Sequence, residues 1–153
     1  MSFRVARDDL TADQTRALLR HHLAGMQASS PPGHSFALDL SGLETPDIRV
    51  WTAWEGERLA AIGALKLLDD GNGEVKSMRT HPDFLRRGAG AAVLEAIIAA
   101  ARDSGCARLS LETGSGDAFE PALALYCKRG FANGEAFAGY EASDFNQFLH
   151  LRL

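Results

Sequence analysis

A short basic turn is the part of this sequence whose residue types and spacing best suit the binding of a phosphate group. Two arginines are followed by two glycines within residues 86–91. Glycine has no side chain, so a ligand can approach its backbone closely. The turn opens an alanine-rich segment that predicts a helix, and the first N–H groups of a helix favour negative charge. The sequence therefore predicts a pyrophosphate site formed by Arg86, Arg87, Gly88, Ala89, Gly90 and Ala91.

The elements before this turn predict an antiparallel sheet. Residues 3–6 are a strand candidate, and Thr11 is placed to cap a helix over about 12–27. The run Ser-Ser-Pro-Pro-Gly-His at 29–34 ends that helix, and a loop or short helix follows over 36–43. Strands are predicted at 48–54, 59–68 and 74–80, joined by tight turns. Consecutive strands with tight turns form a meander.

The elements after the turn predict a parallel pair of strands. A helix over 88–103 is followed by a strand over 107–112, so the strands on either side of that helix should be parallel with a right-handed crossover. A helix over 119–129, a short strand near Phe131 and a terminal strand ending at 153 complete the chain. The predicted fold class is α/β, with a mixed sheet that is antiparallel in its first half, in a single domain over residues 1–153.

Composition excludes several classes of protein. The chain has 16 basic and 20 acidic side chains, a formal charge of −4, which argues against a nucleic-acid partner. Its 2 cysteines have no Cys-x-x-Cys spacing or zinc-type cluster, so we expect reduced thiols, no metal and a cytoplasmic location. The first residues contain no apolar run typical of a signal peptide, and no stretch approaches the roughly twenty apolar residues of a membrane span.

Four runs in fixed order resemble the GNAT superfamily of acyl-CoA-dependent N-acetyltransferases, in particular a branch of small bacterial members. They are GEVKSMR at 73–79, RRGAGA at 86–91, LETG at 111–114 and FEPALALYCKRGF at 119–131. One departure is Leu85, where the family usually has Gln or Arg. The resemblance implies a sheet flanked by helices, with a parallel pair of strands that splay apart around the pantetheine arm of acetyl-CoA. Met78, Arg79 and Thr80 would hold that arm, and an N–H near Met78 would stabilise the oxyanion.

The resemblance also suggests residues for proton transfer. Tyr126 lies where the family places a tyrosine that protonates the departing thiolate, and the alternative is a core position. Glu74 is the candidate base that takes a proton from the ammonium through water, and its alternative is a solvated hairpin residue. Glu112 is a second candidate for the base and would lie near the acceptor. Its alternative interpretation is a salt-bridged residue at the end of a strand. His34 in the Pro-rich loop is a candidate for the acceptor pocket.

The function predicted from the sequence is transfer of an acetyl group from acetyl-CoA to a primary amine by direct attack. The acceptor is a small-molecule amine or a peptide, and the sequence leaves open whether the protein forms a homodimer. One alternative is a non-catalytic acyl-CoA-binding or sensing module. Another is a nucleotide-binding redox domain, with Gly88 and Gly90 in a dinucleotide fingerprint and Glu112 on the ribose. The redox alternative is weak because these glycines do not follow a strand directly.

Overall fold

The computed structural model describes residues 3–153, and these form one mixed sheet with helices on both faces. The elements in chain order are β1 (Arg4–Arg7), α1 (Asp13–Ser29), α2 (Leu40–Leu43), β2 (Ile48–Glu55), β3 (Arg58–Leu67), β4 (Gly73–Thr80), α3 (Ala89–Asp103), β5 (Arg108–Thr113), α4 (Glu120–Arg129), β6 (Ala132–Gly134) and β7 (Gln147–Arg152). Within the described residues the sheet has 7 strands in the order β1-β2-β3-β4-β5-β7-β6. Met1 and Ser2, part of the segment read for a signal peptide, lie outside the described residues.

Strands β2, β3 and β4 form the predicted antiparallel meander, and β1 adds a further antiparallel strand at its edge. Each of β1, β2 and β3 pairs antiparallel with the strand that follows it. The Asp-Gly-Asn-Gly turn before β4 reverses the chain, as its residues predict. The predicted fold class is therefore confirmed for this half of the sheet.

The next pair, β4 and β5, is parallel and separates after its first residues. The two strands pair only at Gly73 with Leu109 and at Glu74 with Ser110. Beyond that point the edge of β4 that faces β5 makes no ladder with it, while β4 still pairs with β3 as far as Thr80. This confirms the splayed parallel pair, and it leaves backbone N–H and C=O groups that need another partner.

A bulge in β4 turns the strand where it separates from β5. The pairing with β3 shifts between Ile62 and Ala64, so Gly63 faces both Ser77 and Met78. Ser77 adopts a left-handed conformation with φ of 59°. Gly63 has no room for a side chain, because a Cβ there would lie 2.8 Å from Val93 Cγ1 and closer still to Met78 Sδ. A bulge with a closely approached glycine re-aims the side chains that follow it.

The two faces of the sheet bury two apolar clusters. Helices α3 and α4 cover one face, where Val93, Ile97 and Tyr126 are buried. Helix α1 covers the other through Thr15, Leu18, Leu19 and His22, the helical spacing of a packed face. None of the helices among residues 3–153 is long and apolar enough to cross a bilayer.

The predicted cap of α1 is wrong. The helix begins at Asp13 with Ala12 as its N-cap residue, and no side chain caps it. The Thr11 hydroxyl instead donates to Asp9 Oδ1 at 2.6 Å. Thr11 lies one residue before the N-cap position, where its backbone N–H and its hydroxyl both donate to the Asp9 carboxylate in a local turn.

Candidate active site

A cavity of about 510 Å³ opens where β4 and β5 separate. It extends from Glu74 at the start of β4 to the N-terminus of α3. The residues predicted from the sequence that line it are Glu74, Met78, Arg79, Thr80, Arg86, Gly88, Ala89, Gly90, Ala91, Glu112 and Tyr126. The structure therefore brings most of the predicted site to one place.

The predicted phosphate-binding turn, residues 85–91, presents backbone N–H groups to the cavity. Gly88 precedes α3 with φ of 88°, a conformation that favours glycine. The first helical bond runs from the Ala92 N–H to the Gly88 carbonyl. The N–H groups of Ala89, Gly90 and Ala91 precede that bond, so they have no partner within the helix and suit an anion.

The side chains of this turn divide between the cavity and the surface. Arg86 lines the cavity, as does Leu85, whose side chain is 58% exposed. Arg87 lies outside the lining: it forms an ion pair with Glu55, and its guanidinium stacks 5.1 Å from the ring centroid of Phe84. The structure does not bring the Arg87 side chain to the predicted phosphate position.

The open edge of β4 suits an extended, amide-rich ligand. Met78, Arg79 and Thr80 line the cavity beyond the last pairing of β4 with β5. An arm with alternating donors and acceptors can replace the missing neighbour strand there. Together with the unpaired N–H groups at the start of α3, this edge fits the pantetheine and pyrophosphate of coenzyme A.

Tyr126 reaches the cavity from α4 with its ring packed in the core. It is 6% exposed, and its ring lies 5.7 Å from that of Phe131. Burial raises the pKa of Tyr126 above that of an ordinary phenol, and Arg79 opposes the shift. The raised pKa keeps the hydroxyl protonated at neutral pH, and no hydrogen-bond partner for it is found in the described part of the chain, so it is available to a ligand.

Glu74 belongs to a buried cluster of polar side chains. It is 2% exposed, and its Oε2 accepts from the Tyr140 hydroxyl at 2.6 Å and from Lys76 Nζ at 3.2 Å. Lys76 Nζ also donates to the Tyr140 hydroxyl at 2.9 Å. Glu74 is thus an ion-paired, hydrogen-bonded carboxylate and not the solvated hairpin residue of the alternative interpretation.

Glu112 faces the same cavity from β5 in a different electrostatic environment. It is half-buried and has no ion pair within the described residues. Burial raises the pKa of Glu112 to about 7; Lys76 opposes the shift, Glu74 adds to it, and a hydrogen bond from Asn146 opposes it. A carboxyl group with this pKa exchanges protons near neutral pH, which a general base requires.

The side chain of Arg79 is directed toward α1. Its Nε donates to His22 Nδ1 at 3.0 Å, and both residues line the cavity. Burial, followed by the charges of Arg79 and His21, lowers the pKa of His22 to about 3, so its imidazole is neutral. The guanidinium is therefore held by a neutral acceptor.

The Pro-rich loop borders the cavity through residues other than the one predicted. Phe36 and Ala37 line it, and the Phe36 ring lies 5.2 Å from that of Tyr140. His34 does not line it; its ring lies 5.9 Å from that of Phe145. Loop conformation, which the sequence does not specify, decides which residue of this loop faces inward.

Two members of the polar cluster around Glu74, Lys76 and Tyr140, were not predicted from the sequence. Lys76 shares a face of β4 with Glu74 because side chains two residues apart in a strand point the same way, and this signal was available. Tyr140 lies in the long connection between β6 and β7, where no periodic pattern exists to place it. Among residues 3–153 no group of three or more His, Cys, Asp or Glu side chains could hold a metal ion.

The chain matches the family described as "Acetyltransferase (GNAT) family" over residues 15–131. It is 48% identical over 151 residues to the uncharacterized N-acetyltransferase YedL of Escherichia coli (strain K12), covering 99% of this chain and 95% of that protein. It is 47% identical over 146 residues to the uncharacterized N-acetyltransferase YsnE of Bacillus subtilis (strain 168), covering 95% of this chain and 97% of that protein.

Solved structures share the fold. A protein of Klebsiella pneumoniae, provisionally named an acyl-CoA N-acyltransferase, superposes with a TM-score of 0.82 at 27% identity, covering 99% of this chain and 97% of that one. A Bacillus subtilis acetyltransferase solved in complex with CoA superposes with a TM-score of 0.69 at 19% identity, covering 99% of both chains.

Proposed function

Since the chain belongs to the acetyltransferase (GNAT) family and is an acetyl-CoA-dependent N-acetyltransferase, we propose that it acetylates a primary amine by direct attack on the thioester. One observation carries this proposal. A carboxyl group with a near-neutral pKa and a protonated phenol line the same cavity, at the open edge of β4. These are the two groups that amine deprotonation and thiolate protonation need.

Acetyl-CoA is held by backbone groups in this proposal. The N–H groups of Ala89, Gly90 and Ala91 bind the pyrophosphate, with Arg86 beside them. The edge of β4 from Met78 to Thr80 binds the pantetheine arm, and it supplies an N–H near Met78 to the thioester carbonyl. The bound thioester supplies the acetyl group and a thiolate leaving group.

Glu112 acts as the general base. Its pKa near 7 lets it accept a proton from an ammonium, directly or through water, at neutral pH. Glu74 is less suited to this step because its Oε2 already accepts from Lys76 and Tyr140. We assign Glu74 to holding Lys76 and Tyr140 in position beside the acceptor.

Tyr126 acts as the general acid. Its buried hydroxyl remains protonated at neutral pH and has no competing partner among the described residues. It donates its proton to the thiolate as the thioester breaks. A covalent acyl-enzyme is unsupported, because neither Cys106, which is buried, nor Cys127, which is exposed, lines the cavity.

Release of free CoA thiol in the presence of an amine library tests this function. The wild-type protein should acetylate at least one primary amine, and Tyr126→Phe should lower turnover about 100- to 10,000-fold. Acetyl-CoA affinity, measured by calorimetry, should change little because the phenylalanine ring still fills the core. Turnover within threefold of wild type, with chemistry shown to be rate-limiting, would reassign Tyr126 to packing alone.

A further inference from the structure

We propose that the Arg79 side chain is an anion subsite for the acceptor, so that the preferred substrate is a small primary amine carrying a carboxylate on the same molecule. This inference rests on the proposed function and names its substrate class. Four observations carry it: the face of the sheet on which Arg79 lies, the groups that hold it, its lack of a carboxylate partner, and the size of the cavity.

The side chains after the bulge in β4 alternate between the two faces of the sheet. Met78 packs under Gly63 against α3, and the Thr80 hydroxyl lies 3.1 Å from where a Cβ on Gly90 would be. Both belong to the α3 face, which carries the phosphate-binding turn. Arg79, between them, points to the α1 face together with Glu74. Its guanidinium therefore lies on the acceptor side, while its backbone remains on the edge assigned to pantetheine.

Helix α1 holds the guanidinium in a fixed orientation. His22 Nδ1 accepts from Arg79 Nε at 3.0 Å, and Gly25, one turn later, leaves room for Nη2. A Cβ on Gly25 would lie 3.1 Å from that nitrogen. With Nε satisfied by His22, the Nη groups remain for a planar anion, which an arginine can bind through two parallel hydrogen bonds.

No protein group neutralises this charge. Within residues 3–153 no carboxylate lies within ion-pairing distance of Arg79, and its neighbour His22 is neutral. A half-buried cation without an anion is costly unless a ligand supplies one. Lys76, the other cation on this face, differs because Glu74 already pairs with it at 3.2 Å. Among the cations that line the cavity in residues 3–153, Arg79 alone is both half-buried and without a carboxylate partner.

The chemistry of the anion and the size of the cavity restrict the acceptor further. The cavity of about 510 Å³ must also hold the arm of acetyl-CoA, so the acceptor is small. The amine must lie near Glu112 and the anion near Arg79. Amino acids carry an amine and a carboxylate on one small skeleton, and the length of that skeleton must match the separation of Glu112 and Arg79.

Matched pairs of acceptors test this inference. The wild-type protein is assayed with α-amino acids and their amides, such as leucine and leucinamide, and with the longer β-alanine and 4-aminobutyrate and their amides. Rates are compared at equal concentrations of the unprotonated amine. We expect kcat/KM for the acid to exceed that for the amide by about 10- to 100-fold in at least one pair, the effect of one charge-assisted contact.

Arg79→Gln should abolish this preference, mainly through the KM of the acceptor, and Arg79→Lys should keep part of it. Acetyl-CoA binding should not change in either variant. Arg86→Gln is the matched control, since it removes an arginine from the phosphate-binding turn. It should weaken acetyl-CoA binding and leave the preference for acid over amide intact. Circular dichroism checks that each variant is folded.

Calorimetry provides a readout that needs no turnover. The CoA-loaded protein is titrated with N-acetyl-leucine and with N-acetyl-leucinamide. Binding of the acid but not the amide, lost in Arg79→Gln, supports the inference. Equal binding of both, binding of neither, or an Arg79→Gln effect on CoA alone overturns it. Acetylation of neutral amines without any preference would overturn the subsite while leaving the proposed function intact.

Discussion

Two glutamates share one cavity, and their surroundings give them different chemistry. Glu74 is ion-paired with Lys76 and hydrogen-bonded by Tyr140, whereas Glu112 has burial and a neighbouring negative charge to raise its pKa to about 7. Separate environments are how a site assigns separate roles to two carboxylates. The sequence placed both near the site but could not rank them, because ranking depends on Tyr140, which is 66 residues from Glu74 in the chain.

Glu112→Gln tests this assignment through the pH profile. In the wild type, kcat/KM should rise with pH through an apparent pKa near 7, since the base acts only when ionised. The variant should lose about 100- to 10,000-fold in kcat/KM at pH 8 and no longer show that rising limb. Glu74→Gln is the comparison variant. If Glu74→Gln removes the limb and Glu112→Gln keeps it, Glu74 is the base.

The raised pKa of Glu112 also predicts how the stability of the protein depends on pH. The folded pKa of Glu112 is raised above its ordinary value of 4.5, so the native state binds this proton more tightly than the unfolded state does. As the pH rises from about 4.5 to about 7 and beyond, ionisation of Glu112 lowers the free energy of unfolding. Below pH 4.5 the group is protonated in both states and has no such effect. Glu112→Gln should raise Tm relative to the wild type at pH 8 but not at pH 4, as measured by differential scanning calorimetry. An equal shift at both pH values would contradict the raised pKa.

At the scale of elements, the turn before α3 is where the sequence was most informative. Its glycines are local signals: Gly88 requires a positive φ, and Gly90 requires close approach to Thr80. Gly63, inside the strand pattern of β3, is a similar local signal, because a glycine within a strand often marks a bulge or a close approach of another chain segment. The sequence carries no such signal for the inward residue of the 30–37 loop, since the rings that contact His34 and Phe36 are distant in sequence.

Gly90→Val should weaken acetyl-CoA binding without unfolding the protein. A Cβ at this position would lie 3.1 Å from Thr80 Oγ1 and 3.5 Å from Leu125 Cδ2, so a branched side chain is forced toward the cavity. The loss of one charge-assisted hydrogen bond predicts a rise in Kd on the order of 10- to 100-fold by calorimetry. Ala99→Val, on the exposed face of the same helix, controls for helix propensity. Unchanged acetyl-CoA affinity in a folded Gly90→Val protein would show that this turn does not bind the phosphates.

The loop between α1 and α2 offers its own matched pair. Phe36→Ala should raise the KM of the acceptor about 3- to 10-fold. The Phe36 ring is partly exposed, so its contact with the acceptor contributes only a fraction of the free energy of a fully buried ring. The KM of acetyl-CoA should stay constant. His34→Ala should change neither constant, as His34 does not line the cavity. A larger effect of His34→Ala than of Phe36→Ala on the KM of the acceptor would place His34 in the acceptor pocket.

At the scale of the molecule, the sheet joins two halves of one site. The apolar cluster under α3 and α4 supports the phosphate-binding turn and Tyr126, while the cluster under α1 supports Arg79. Apolar spacing predicted the helices that became α1 and α3, and the tight turns predicted the antiparallel meander. Neither signal could predict how far β4 and β5 diverge, since that separation depends on long-range pairing and on the bulge opposite Gly63.

Because one sheet carries both clusters, we expect residues 1–153 to unfold as a single domain. The chain has 2 tryptophans, and each reports on one face: Trp51 is buried in the cluster under α3, and Trp54 packs against the cluster under α1. The Trp54→Phe variant keeps Trp51 as its tryptophan probe, and the Trp51→Phe variant keeps Trp54. In each variant, fluorescence and far-UV circular dichroism should give the same denaturation midpoint. CoA at about 100 times its Kd should stabilise both variants by about 2.7 kcal/mol, because CoA binds the folded domain and the whole domain unfolds in one transition. If the Trp54 signal changes at a lower denaturant concentration than the circular dichroism of the same variant, the α1 face unfolds separately and the single-domain prediction fails.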